Sequence, residues 1–244
     1  MNSRPTSLFS LTGLVLANLA VLFLSVFQEI AKGFPYMTID WGLVPIRFTD
    51  ALLSGSLPDI GYNILTLVTS TFLHGGFDHF FNNMALLIIM GILVEREFGS
   101  ARFLAIYLVS GLAGSFGHYL FHMVDYRPMI GASGAISGVM AAFVIAVFCM
   151  GQRVTLLRLL GVLFVGNWML DQVVSIYVNS GARDGVAYFA HLGGFIGGLA
   201  ISILLAKLLM KRKESTRPPT LPPESENDFA SHKRDGALSP RNDE

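Results

Sequence analysis

The chain of 244 residues is 52% hydrophobic, only 14% charged, and has a formal net charge of zero. An ordinary soluble surface uses roughly a quarter charged residues, so most of this chain is solvated by something other than water. A single cysteine, Cys149, excludes an internal disulfide, and its place in an apolar run suits a small buried residue.

The first uncharged run covers residues 8 to 28. One basic residue precedes it, it is too long for a signal-peptide core, and "SVFQEIAKG" offers no small-x-small cleavage site, so it reads as a retained helix. Residues 29 to 73 then mix Trp41, Pro35, Pro45, Pro58 and several glycines with apolar stretches such as "WGLVPIRF". That mixture suits a loop resting in the outer membrane interface.

Further uncharged runs cover 79 to 94, 103 to 124, 129 to 152, 159 to 170 and 186 to 206. A bilayer core needs about 20 apolar residues per helix. Four of the six runs meet that length alone; 79 to 94 is short, and 159 to 170 extends toward Ala182 only if Asp171 faces protein. Six spans are expected, hence an all-α polytopic membrane protein whose domain covers residues 8–210. Residues 1–7 are expected as a cytoplasmic N-terminus. Residues 211–244, rich in proline and charge, read as a disordered cytoplasmic tail.

With six spans both termini share a side. That side holds Arg4, Arg96, Arg102, Arg153, Arg158, Lys207, Lys211, Arg212 and Lys213, against Lys32, Arg47, Arg127 and Arg183 opposite. The excess favours cytoplasmic termini. No internal repeat is apparent, which weighs against inverted-repeat transporters.

The second, fourth and sixth spans enter from the outer side at "HGGFDHFFNN", "IGASGAISG" and "AYFAHLGGFIGG". An unpaired polar group in hydrocarbon costs several kcal/mol, so polar residues here face the bundle interior or a water-filled cavity. His79 and Asn83, four apart, share a helix face; so do Ser133 and Ser137. His191, Gly194 and Gly198 form a stripe that admits close helix approach. Imidazole is the commonest base for activating a serine hydroxyl, so Ser133 and His191 form a candidate nucleophile and base. The Ser133 backbone N–H, His79 and Asn83 are candidate oxyanion donors, while Gly131 and Gly134 let a substrate backbone come close. No third acid is evident near these ends, so a Ser-His dyad is expected.

In this order "HGGFDHFFNN", "VEREFGS", "GASGA" and "AHLGGFIGG" resemble the rhomboid family of intramembrane serine proteases in its bacterial six-helix form, over about Thr66 to Leu205. The resemblance implies Ser133 as nucleophile, His191 as base, and His79 and Asn83 lining the oxyanion site. It makes Gly131 and Gly134 part of the family's Gly-x-Ser-Gly, and His74 a support for the second span and its water network. Gly194 and Gly198 are then the glycines that bring the sixth span against the fourth, and Glu95, Arg96 and Gly99 a structural turn motif. It further implies transmembrane protein substrates cut near the membrane surface, a mobile fifth helix as gate, and a bacterial inner-membrane location. No cofactor, metal or nucleic acid is expected; the oligomeric state is open.

Two departures stand out. Some members carry a tyrosine four residues after the nucleophile, stacked on the histidine, where this chain has Ser137; others carry a Trp-Arg pair in the first loop, absent here. Rival readings are a metal-dependent hydrolase using His118 and His122 with Asp125, His74, Asp78 and His79, a catalytically silent relative that binds membrane helices, and a transporter.

Overall fold

The computed structural model describes residues 8–150, 154–178 and 185–215. Within them the chain is helical, with no strand beyond an isolated bridge, Leu43 to Met129. Helix α1 (Phe9–Lys32) is followed by three short helices, α2 (Tyr36–Trp41), α3 (Pro45–Ser54) and α4 (Leu57–Thr69), and a 3-10 turn at Ser70–Phe72. Then come α5 (Phe77–Phe98), α6 (Ser100–Phe121), α7 (Ser133–Cys149), α8 (Leu156–Val178) and α9 (Tyr188–Ser215). Five of these are long and apolar enough to cross a membrane, and α7 is a shorter apolar helix of 17 residues. Large apolar side chains such as Phe23, Phe27, Ile89, Leu163, Leu170 and Leu204 are exposed. Their solvent is lipid, as the polytopic helical reading expects.

The stretch from 29 to 73, expected as a loop, is instead largely helical. Local signals explain it: Pro45 opens α3 at a position where its missing N–H costs nothing, and the Ser56 side chain accepts from the Asp59 N–H at the start of α4. The second span also runs past its apolar core to Phe98, because Glu95 is fully buried and paired rather than solvated. The fifth begins earlier, at Leu156, and is described as far as Val178; its expected extension toward Ala182 lies outside the described residues. Asp171 does not turn inward there; it is exposed and accepts a bond from Gln172. Residues 1–7 and 216–244 lie outside the described residues, as do Arg4, Arg153 and Arg183 of the orientation count, while α9 stays helical to Ser215.

Helix α7 is the centre of the bundle. Its residues from Gly134 to Phe143 are all buried, and it packs against α5 and α6. Helix α9 closes on it through glycines: a Cβ at Gly194 would overlap the Gly134 carbonyl, and one at Gly198 would overlap Gly138. Backbones this close are what a stripe of small residues permits. Of the five span-length helices α8 is the least embedded, with only Val165 and Gln172 buried among its described residues.

The short helices clamp the segment that leads into α7. Leu43 and Met129 exchange both backbone hydrogen bonds, Ile46 N–H donates to the Asp125 carbonyl, and Thr49 Oγ1 donates to the Met123 carbonyl. Within that segment Asp125 and Arg127 form an ion pair at 2.6 Å, and the guanidinium holds the Asp125 carboxyl down to about 2.

Candidate active site

Ser133 is the first residue of α7. Its position is set upstream, where Gly131 donates its N–H to the Ser70 carbonyl at 2.9 Å and takes φ +129°. A side chain at 131 is excluded twice over, by that backbone angle and because a Cβ there would lie 2.9 Å from the His79 ring. The first N–H to bond within α7 is that of Ile136, to the Ala132 carbonyl. The N–H groups of Ser133, Gly134 and Ala135 therefore have no acceptor inside the helix, and they carry the positive end of its dipole.

His191 lies one turn into α9 and is buried. Its Nε2 is 2.8 Å from Ser133 Oγ. The glycine contacts between α7 and α9 are what bring these two residues together from 58 positions apart in the chain. Ser137, one turn below, does not share the role: its hydroxyl donates to the Ser133 and Gly134 carbonyls, at 2.8 and 2.9 Å, inside its own helix.

His79 and Asn83 stand on one face of α5. Gly75 N–H donates to His79 Nδ1 at 3.3 Å, so the ring hydrogen sits on Nε2, the edge that borders Gly131. Asn83 is buried and donates one amide hydrogen to the His79 carbonyl at 2.8 Å, which leaves its second hydrogen available. His74 packs edge-on against both His79 and Phe80, at ring-centroid distances of 5.2 and 5.4 Å. Gly134, behind Ser133, meets α6 at Gly114 as well as α9, so no side chain separates these backbones.

Two further residues reach the site from α8. Gln172 Oε1 lies 2.6 Å from His191 Nδ1, and the Trp168 ring lies 5.2 Å from the His191 ring at 44°. Sequence reasoning missed both, although Trp168 and Gln172 are four apart and share a helix face. Asp171 carries the only charge in this stretch of α8 yet is exposed, while the uncharged amide beside it is buried.

His118 and His122 do not form a metal clasp with Asp125. Their rings stack at 4.2 Å, His122 Nδ1 faces the His118 carbonyl at 3.0 Å, and Asp125 is committed to Arg127. Among the described residues no three His, Cys, Asp or Glu side chains converge as a metal site would require.

Residues 62–208 match the family model of the rhomboid domain. The chain belongs to the rhomboid family. Its similarity to individual rhomboids is spread across kingdoms: it is 33% identical over 144 residues to RHOMBOID-like protein 4 of Arabidopsis thaliana, covering 57% of this chain and 33% of that protein. It is 37% identical over 135 residues to Rhomboid protease GluP of Bacillus subtilis, covering 54% of this chain and 24% of that one. It is also 30% identical over 139 residues, 55% of this chain and 36% of the other, to Inactive RHOMBOID-like protein 8 of Arabidopsis thaliana. This rhomboid spans between a third and a half of the length of the curated relatives it first matches.

Proposed function

We propose that this rhomboid is an intramembrane serine endopeptidase that hydrolyses peptide bonds in or near the transmembrane helices of other proteins. The observation that carries the reading is the 2.8 Å separation of Ser133 Oγ and His191 Nε2 at the mouth of a buried helix. His191 Nε2 takes the hydroxyl proton as Oγ attacks the scissile carbonyl. The resulting oxyanion accepts hydrogen bonds from the Ser133 backbone N–H, His79 Nε2–H and the free Asn83 hydrogen. His191 then returns the proton to the leaving amine, and a water molecule repeats the sequence on the acyl-enzyme to release the second product and restore Ser133.

Location in lipid follows from length. Helix α7 has 17 residues, about 25 Å at 1.5 Å per residue, against a hydrocarbon core of about 30 Å. With its inner end at the interface, Ser133 stands below the outer surface, where a transmembrane substrate presents its end. The domain is assigned to residues 8–210, with cytoplasmic termini in a bacterial inner membrane; the basic residues near the inner ends support that orientation.

The test is reconstitution in liposomes with a model single-span substrate. Ser133→Ala and His191→Ala each lower kcat by about 10³-fold or more, while Ser137→Ala keeps activity close to wild type. Cleavage that persists in Ser133→Ala overturns the reading. The alternative is a silent rhomboid that binds membrane helices, as the name of one similar protein invites. Covalent labelling of Ser133 by a fluorophosphonate, lost in His191→Ala, separates the two, because a silent member has no activated hydroxyl.

A further inference from the structure

We infer that Gln172 is the positioning residue of this site: its side-chain carbonyl holds His191 in the tautomer and orientation that leave Nε2 free to take the Ser133 proton. The inference rests on the dyad reading above and adds to it the group that a dyad leaves unspecified. An imidazole that accepts at Nε2 must carry its hydrogen on Nδ1, and that hydrogen needs an acceptor when the ring is buried. Gln172 Oε1 is that acceptor, at 2.6 Å.

The direction of the amide is settled by its other end. Gln172 Nε2 donates to Asp171 Oδ2 at 3.1 Å, which a flipped amide could not do, so the carbonyl faces the ring. A continuous chain of hydrogen bonds follows: Gln172 donates to Asp171, His191 Nδ1–H donates to Gln172, and Ser133 Oγ–H donates to His191 Nε2. Each bond in such a chain polarises the next. Gln172 is also one of only two buried residues described on α8. A buried amide on a lipid-facing helix is costly unless both its ends are paired, and both are.

Trp168, one turn earlier, packs its ring on the imidazole from the same helix. Between them the two side chains border His191 at its Nδ1 edge and, tilted by 44°, against its ring, while Ser137 offers no ring to stack there. Because both come from α8, alignment of the base depends on that helix lying against the site.

The titratable groups that face the ring are His79 from α5, His118 from α6 and, through the amide, Asp171 of α8. The experiment measures kcat and KM against pH in liposomes for wild type, Gln172→Leu and Gln172→Glu, with Ser133→Ala and His191→Ala as references. Gln172→Leu is expected to lower kcat by about 10- to 100-fold with KM near wild type, the usual cost of losing a group that orients a functional histidine. Gln172→Glu restores most of the rate and moves the acid limb of the profile to higher pH by about one unit or more, since a carboxylate at this distance stabilises the protonated ring. A residue with only a packing role moves no pH profile. Gln172→Leu at wild-type kcat, or Gln172→Glu with an unshifted acid limb, overturns the inference. If the leucine variant unfolds, the profile of the glutamate variant decides. Wild type that cleaves while Ser133→Ala and His191→Ala do not supports both members of the dyad, so failure then falls on Gln172 alone.

Discussion

Whether a histidine can act as base or as donor is set by which ring nitrogen is already occupied, and His191 of α9 and His79 of α5 show the two cases. His191 has Nδ1 committed to Gln172, leaving Nε2 to accept from Ser133. His79 has Nδ1 committed to the Gly75 N–H as an acceptor, leaving Nε2–H to donate beside Gly131. In the proposed reaction the same side chain therefore serves opposite chemistry, because one neighbour is a carbonyl and the other an N–H. His79→Ala removes one of the proposed oxyanion donors and is expected to lower kcat by about 10²- to 10³-fold with a smaller change in KM. Steady-state cleavage in liposomes measures it, and a rise in KM with kcat unchanged would instead place His79 in ground-state binding. Asn83, one turn deeper, donates to the His79 carbonyl within α5, so its mutation also disturbs the helix that carries His79.

At the scale of helices, the site exists because α7 and α9 touch backbone to backbone. Gly194 and Gly198 lie against Gly134 and Gly138 with no room for a Cβ, and Gly138 is equally tight against Ser110 of α6. Gly194→Ala forces α9 away from α7, which costs about 1–3 kcal/mol as overpacking does elsewhere and lengthens the Ser133–His191 separation. The expected outcome is a lower thermal midpoint in detergent together with loss of fluorophosphonate labelling. A variant that labels at the wild-type rate would show that the contact is not what sets the geometry. This layer was legible in the chain because small residues at helical spacing are a periodic signal, as were the uncharged runs and the face shared by His79 and Asn83. The segment from 36 to 72 was not, since its helices are short and amphipathic, set between prolines and glycines that read as loop. Gln172 escaped for a different reason: one amide in a lipid-facing helix has no periodicity, and its partner lies on another helix, 19 residues away.

For the molecule as a whole, the question is how α1, lipid-facing over much of its length, is fixed to the helices that carry the site. Its buried face is the narrow row of Leu11, Leu14, Asn18 and Leu22. At its N-terminus Leu8 provides no side-chain cap, and the cap comes instead from α5: Glu95 Oε1 accepts from the Ser10 N–H and Oε2 from the Leu11 N–H, both at 2.8 Å. Ser10 Oγ adds a bond to the Ser100 carbonyl at 3.0 Å. A carboxylate bridging two helix N-terminal N–H groups is favoured by both the hydrogen bonds and the helix dipole. It joins the first helix to the far end of the one that bears His79. Glu95→Ala would leave two backbone donors unpaired, one of them buried, at about 1–3 kcal/mol for a buried group, whereas Glu95→Gln keeps one acceptor and loses less. The expected result is an unfolding midpoint in detergent ordered wild type, Gln, Ala. Fluorophosphonate labelling below the transition should stay near wild type in both, because Glu95 sits at the end of α5 opposite His79 and touches neither Ser133 nor His191. Equal midpoints for wild type and alanine would mean that α1 is held by its apolar row alone.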